Sequence, residues 1–284
     1  MSGIGQLTAT NQTAEGANGV RYAYRRFGTP RPGNVPVVFL QHFRGNLDNW
    51  DPALIDPIAE QREVILVDNA GVGGTTGTVP GTVREMALDA LAFIDALGLT
   101  SYDLFGFSLG GFVAQEIALV RPHQVRRIVL AGTGPQGGRD FHLWTGEVLA
   151  AARRDEPAAE DLLTLFFQPT ETSRAKGMEF VQRIFTRQQD RDIPTDHATR
   201  DAQHTAISAW GIPDDGRLVR LAAIQQPVLA ANGDRDVMVP TENTHLLGEH
   251  LPNAKVVIYP DAGHGFLFQY PAEFAAEVNT FLGE

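Results

Sequence analysis

Six short, nearly continuous apolar runs punctuate the chain, each bounded by glycine, proline or asparagine. They are Val35 to Gln41, Glu63 to Asn69, Tyr102 to Phe107, Arg127 to Gly132, Pro227 to Gly233 and Ala254 to Pro260. Uninterrupted runs of this length, rather than alternating ones, mark strands buried on both faces, as in a parallel sheet. Between the second and third runs, Val83, Met86, Ala87, Ala90, Leu91, Ile94 and Leu97 recur at three- and four-residue spacing, and Gly98 follows as a stop. That period predicts an amphipathic helix laid on the sheet. The amino-terminal stretch from Leu7 to Gly28 behaves differently, centring on Asn18-Gly19, and predicts an antiparallel hairpin at one sheet edge.

The strand pattern stops after Gly138. From Arg139 to about Leu221 no strand is predicted, and helix-like stretches take over, such as Glu171 to Arg187 and Asp196 to Ala209, with Trp144, Phe166, Phe167, Phe180, Phe185 and Trp210 among them. Strands then return, and a helix beginning at Pro271 closes the chain. The expected architecture is an α/β core, residues 1–138 and 222–284, interrupted by a helical insertion at 139–221.

Composition narrows the function. With 284 residues the chain suits one large domain carrying an insertion. A net charge of -11 offers no basic surface for phosphate backbones, so nucleic acid is not an expected partner. There are no cysteines, which excludes disulfides, thiolate metal sites and a cysteine nucleophile together. No metal-binding pattern is evident, neither a His-x-x-x-His helix nor a calcium loop, and no cofactor is called for. The amino terminus lacks a basic start and an apolar block, and no apolar run of about 18 residues exists to span a bilayer. A soluble, cytoplasmic protein with no membrane partner is the expectation.

The chemistry gathers at Gly106-Phe107-Ser108-Leu109-Gly110, where a predicted strand turns into a predicted helix. A tight turn crowds its neighbours, so small residues flank the serine, and the bend holds its hydroxyl out from the sheet's carboxyl edge. A serine is a weak nucleophile until a base removes its proton, so a histidine oriented by an acid is required at later strand ends. The loop after Pro227 to Gly233 offers Asp234 and Asp236, and the loop after Ala254 to Pro260 offers His264 between two glycines. The order Ser, Asp, His fits a strand-turn-helix serine site.

With these residues in this order the chain resembles the α/β-hydrolase superfamily over nearly its full length. The resemblance implies a mostly parallel sheet with helices on both faces and a helical cap formed by the insertion. It selects Asp236 over Asp234, through Gly233-Asp234-Arg235-Asp236, and relates Asp68 to Thr75 to the family's Asp-x-x-Gly-x-Gly loop. It also implies an oxyanion hole made by the backbone N–H groups of Leu109 and Phe43. Where relatives usually have His-Gly, this chain has Gln41-His42, so His42 stands in place of the common glycine; the expectation is that its ring serves the loop rather than the substrate. His42, Trp144, Phe167 and Trp210 are the candidate pocket residues, although aromatic residues at helical spacing are more often local core.

The expected activity is cofactor-independent hydrolysis of a carboxylic ester or lactone of a small, partly apolar substrate through an acyl-enzyme on Ser108. Perhydrolysis, as in cofactor-free haloperoxidases, and carbon-carbon bond hydrolysis use the same triad. From a different class comes a non-catalytic protein that holds a small molecule under the cap.

Overall fold

The apolar runs fold as strands of one sheet in the computed structural model, which describes residues 5–284. Residues 1–4, part of the expected core segment 1–138, lie outside the described residues. The strands are β1 (Gln12–Glu15), β2 (Arg21–Gly28), β3 (Val37–Leu40), β4 (Glu63–Val67), β5 (Tyr102–Phe107), β6 (Val125–Ala131), β7 (Val228–Gly233) and β8 (Ala254–Tyr259). Their order across the sheet is β1-β2-β4-β3-β5-β6-β7-β8. β1, β2 and β4 pair antiparallel, and every later neighbour is parallel. The central strands β3 and β5 are buried along their whole length, which is why they carry no alternation.

Helices α1 (Pro52–Ala59), α2 (Val83–Ala96) and α3 (Leu109–Val120) join the first strands, and α9 (Glu242–His250), α10 (Phe266–Gln269) and α11 (Pro271–Gly283) follow β7 and β8. They cover both faces, with α1 against α11 and α2 against α3. The predicted amphipathic helix is α2: the Thr82 hydroxyl accepts the Glu85 N–H at its start, and Gly98, at φ 66°, ends it. In the hairpin, Gly19 takes φ 78° at the turn and β1 forms the sheet edge.

Between β6 and β7 the chain is helical, through α4 (Gly146–Ala152), α5 (Ala159–Phe166), α6 (Glu171–Ile184), α7 (His197–Trp210) and α8 (Asp215–Leu218). Arginines fasten this insert to the core. Arg183 makes a two-pronged ion pair with the buried Asp51 at 2.7–3.1 Å, and Arg187 donates to the carbonyls of Gln6, Leu7 and Ala9. Such contacts satisfy backbone groups that a loosely placed helix would leave bare.

Candidate active site

Ser108 joins β5 to α3 with φ 55° and ψ -120°, a backbone conformation that costs a non-glycine residue roughly 1–3 kcal/mol. The bend is held from both ends. The Ser108 N–H donates to the Ala131 carbonyl at 2.9 Å, and its carbonyl accepts the Gly111 N–H and the Thr133 hydroxyl, each at 2.8 Å. The glycines have a steric reason to be there. A Cβ on Gly110 would collide with the Leu40 carbonyl, and one on Gly106 would run into the Gly110 backbone.

His264 follows β8, fully buried, with its ring against Phe107 and Phe166. Its Nδ1 lies 2.7 Å from Asp236 Oδ2. A carboxylate can only accept, so Nδ1 carries a proton, and in the neutral ring Nε2 is the nitrogen with the lone pair. The other Asp236 oxygen accepts the N–H groups of Met238 and Val239, at 2.8 and 3.0 Å, which fixes the carboxylate's plane. Asp234 is exposed and accepts the Ala262 N–H at 3.0 Å, so it braces the loop and does not meet the ring. Among the described residues His264 Nε2 has no hydrogen-bond partner, and Ser108 Oγ makes no bond to it. Both residues line one cavity.

Two backbone donors belong to neighbouring residues: Leu109 follows Ser108 in the chain, and Phe43 lines the same cavity. Among the described residues neither the Phe43 N–H nor the Leu109 N–H has an acceptor. Leu109 opens helix α3, whose N-terminal dipole favours negative charge, and Phe43 contributes to the cavity wall.

His42 is buried, with its ring edge-on to Phe107 and Phe166. Nδ1 donates to the Phe43 carbonyl at 2.9 Å. Burial, the dominant cause, pushes its pKa down from 6.5 to about 4, opposed by that hydrogen bond and aided by nearby His264. The ring is therefore neutral at pH 7.

The cavity measures about 250 Å³ and lies between the sheet's carboxyl edge and the insert. Leu162, Leu165, Phe166 and Ile184 of the insert, with Met238, form an apolar wall; Asn46, Asp48, Asp161 and Asp192 form a polar one. Asp192 also faces Asp68, whose carboxyl is raised well above its ordinary range by burial first and by Asp192 second. Of the four residues expected in the pocket, only His42 reaches the cavity wall. Trp144 instead donates to the Met238 carbonyl and packs edge-on against Phe43. Phe167 packs on Phe180 and Gly177, and Trp210 stacks on Phe112 and donates to the Gly134 carbonyl. All three are buried, because large aromatic rings gain more from joining the insert to the core than from lining a small cavity. The lining residues of α5, Leu162, Leu165 and Phe166, share one face at three- and four-residue spacing, a signal too short to mark a helix by itself.

Residues 35–271 match the alpha/beta hydrolase fold family, and the chain belongs to it. An alpha/beta hydrolase fold protein from Chitinophaga pinensis is 40% identical and superposes with a TM-score of 0.91, covering 98% of each chain. A protein of Mycobacterium tuberculosis that carries the name of a non-haem bromoperoxidase, BpoC, is 28% identical over 83% of this chain and 89% of its own. One from Pseudomonas savastanoi pv. phaseolicola that carries the name of a carbamate hydrolase, RutD, is 26% identical over 88% of this chain and 94% of its own.

Proposed function

We propose that this member of the alpha/beta hydrolase fold family is a serine hydrolase of small, partly apolar carboxylic esters or lactones, with Ser108, His264 and Asp236 as its triad. The observation that carries the reading is the 2.7 Å bond from His264 Nδ1 to Asp236, which fixes the ring with Nε2 unpartnered in the cavity that Ser108 also lines. In the reaction, Nε2 takes the hydroxyl proton as Ser108 Oγ bonds to the carbonyl carbon. The carbonyl oxygen becomes an oxyanion, received by the N–H groups of Phe43 and Leu109. The imidazolium, steadied by the Asp236 carboxylate, returns its proton to the leaving alkoxide, and the acyl-enzyme forms. Water then enters with Nε2 as base, the acid is released, and Ser108 regains its proton. Ser108 Oγ and Nε2 need to meet only when substrate is bound, since catalytic hydrogen bonds are often loose beforehand. The sequence needs no cofactor: serine, imidazole, carboxylate and water balance every step.

The apolar wall of Leu162, Leu165 and Ile184 receives the acyl or alkyl part, and the insert acts as a cap that keeps bulk water from the acyl-enzyme. The name of the M. tuberculosis relative keeps perhydrolysis, in which peroxide replaces water in the second step, as the second reading.

The test is intact mass after exposure to a fluorophosphonate, on the parent and on Ser108→Ala, followed by hydrolysis of short and medium acyl esters with and without peroxide. One adduct on the parent alone, with ester turnover, is the expected result. No adduct on well-folded protein would favour a non-catalytic binding protein of the same fold.

A further inference from the structure

We propose that His42 and Gln203 are positioning residues that hold the oxyanion loop by clamping one peptide from its two ends, so that the helical insert helps to build the oxyanion hole. The inference rests on the reading of Phe43 as an oxyanion donor. The peptide is the one joining Phe43 to Arg44. Its carbonyl accepts from His42 Nδ1 at 2.9 Å, and its N–H donates to Gln203 Oε1 on α7 at 2.6 Å, 159 residues away in sequence.

The clamp has strain to resist. The Gly45 N–H donates to the His42 carbonyl at 3.0 Å, closing a four-residue turn with Phe43 and Arg44 at its centre. Arg44, in the third position, has φ 60°. A left-handed residue there belongs to the turn type that ordinarily takes glycine or asparagine, and for another L-residue it costs about 1–2 kcal/mol. Rotation of the Phe43–Arg44 peptide would relieve that strain and change the loop that carries the Phe43 N–H. His42 and Gln203 oppose the rotation, each holding a different end.

Neither side chain is placed as stability alone would place it. Both are buried, and among the described residues His42 Nε2 and Gln203 Nε2 have no hydrogen-bond partner. A buried polar atom left in that state costs about 1–3 kcal/mol. An apolar side chain at either position would avoid the cost and lose the grip on the peptide. The guanidinium of Arg44 strengthens the connection to the insert, donating to the carbonyls of Arg154 at 2.5 Å and Asp155 at 2.9 Å, and to the Thr195 hydroxyl and carbonyl at 3.3 Å. The substitution of histidine for the family's usual glycine at position 42 then has a physical account: a glycine has no Nδ1 to offer the Phe43 carbonyl.

The experiment measures kcat, KM and inhibition by a medium-chain alkyl trifluoromethyl ketone, which forms an oxyanion adduct with an active serine. The variants are Gln203→Leu, His42→Phe, His42→Asn and the Leu/Phe double variant. Losing an oxyanion donor outright lowers turnover roughly 100- to 1000-fold, and a loosened one is expected to lower it about tenfold. Gln203→Leu and His42→Phe are each expected to lower kcat and ketone affinity by that same factor, with KM within about twofold of the parent. Asn at position 42, whose amide can stand where Nδ1 stands, restores most of the loss. The double variant loses little more than either single one, because both act on one peptide. Values of kcat and ketone affinity within twofold of the parent in both single variants would overturn the inference, as would a loss of kcat with ketone affinity intact. Should Gln203→Leu not fold, His42→Phe and its Asn counterpart decide the matter. A parent that takes no fluorophosphonate and turns over no ester removes the hydrolase reading itself; a parent that does both beside unaffected variants removes only the clamp.

Discussion

The sheet and the helical insert are built on different terms. In the sheet, Ser108, Asp236 and His264 follow β5, β7 and β8, strands held by ladders on both sides or, for β8, along its full length against β7, and, in the case of β5, buried throughout. The insert is an assembly of amphipathic helices whose grip on the core runs through arginines and a few buried aromatic rings. A hydrogen-bonded ladder leaves little freedom at a strand tip, whereas helices held by side chains can be resized or tilted without disturbing the strands. On the proposed reading, the reactive groups accordingly sit on the rigid part, and most of the apolar lining offered to a substrate sits on the adaptable part.

The contrast breaks most visibly at the strand tips. Ser108→Ala is expected to reduce ester turnover by about four orders of magnitude or more, and Asp236→Asn by about four. Asp234→Asn is expected to stay within about threefold, since its carboxylate braces Ala262 and does not touch the ring. Steady-state kinetics on the three variants checks this, and an inactive Asp234→Asn beside an active Asp236→Asn would reverse the assignment. Gly110→Ala forces a methyl group onto the Leu40 carbonyl. Its expected loss is about 3 kcal/mol of stability, read by denaturant unfolding, together with poor fluorophosphonate labelling.

Changes in the insert should be milder and of another kind. Arg183→Ala leaves Asp51 buried without its partner. Burial already raises the carboxyl of Asp51 from its ordinary value, against the lowering effect of Arg183. Because Arg183 is itself partly exposed, about 2 kcal/mol of lost stability is expected rather than the larger penalty of a fully buried pair. Leu165→Ala widens the apolar wall, and kcat/KM is expected to move about three- to tenfold in favour of longer acyl chains. Fluorophosphonate labelling at Ser108 should be unchanged, so a loss of labelling would show that the wall and the reactive groups are not separable. The smallest effect concerns acid. His42 has its pKa lowered to about 4 in the fold, so between pH 6.5 and 4 the unfolded chain binds a proton that the folded one does not. Its contribution to stability is complete above pH 6.5 and is lost as the pH falls. Melting temperatures of the parent should therefore drop more between pH 7 and 5 than those of His42→Phe; equal drops would contradict the buried, neutral ring.

Local chemistry wrote the sheet into the sequence. An apolar run with no alternation has few alternatives to a doubly covered strand, and β5 occupies the six residues that its pattern implies. Ser108 was legible because glycines at a strand-to-helix join have a steric cause; strand order brings the loop of Asp234 and Asp236 near that of His264, and only the resemblance chose Asp236 between them. The hairpin at Asn18-Gly19 and helix α2 were readable for similar local reasons. Helices α4 and α5 were not, since their apolar faces are short and are completed by partners distant in the chain.

What tertiary structure alone decided is which side chains meet across those distances. Trp144, Phe167 and Trp210 have the composition of pocket residues, yet packing places them between the insert and the core or within the insert, and Leu162, Leu165, Phe166 and Ile184 line the cavity instead. Nothing in the sequence joins Gln203 to the N–H of Arg44, and the expectation that the His42 ring serves its loop names no partner until the fold sets Nδ1 against the Phe43 carbonyl. Periodicity and turn sterics act over a few residues and so are written locally; the mutual placement of two helices and a loop depends on burying all their faces at once, which no single stretch of chain encodes.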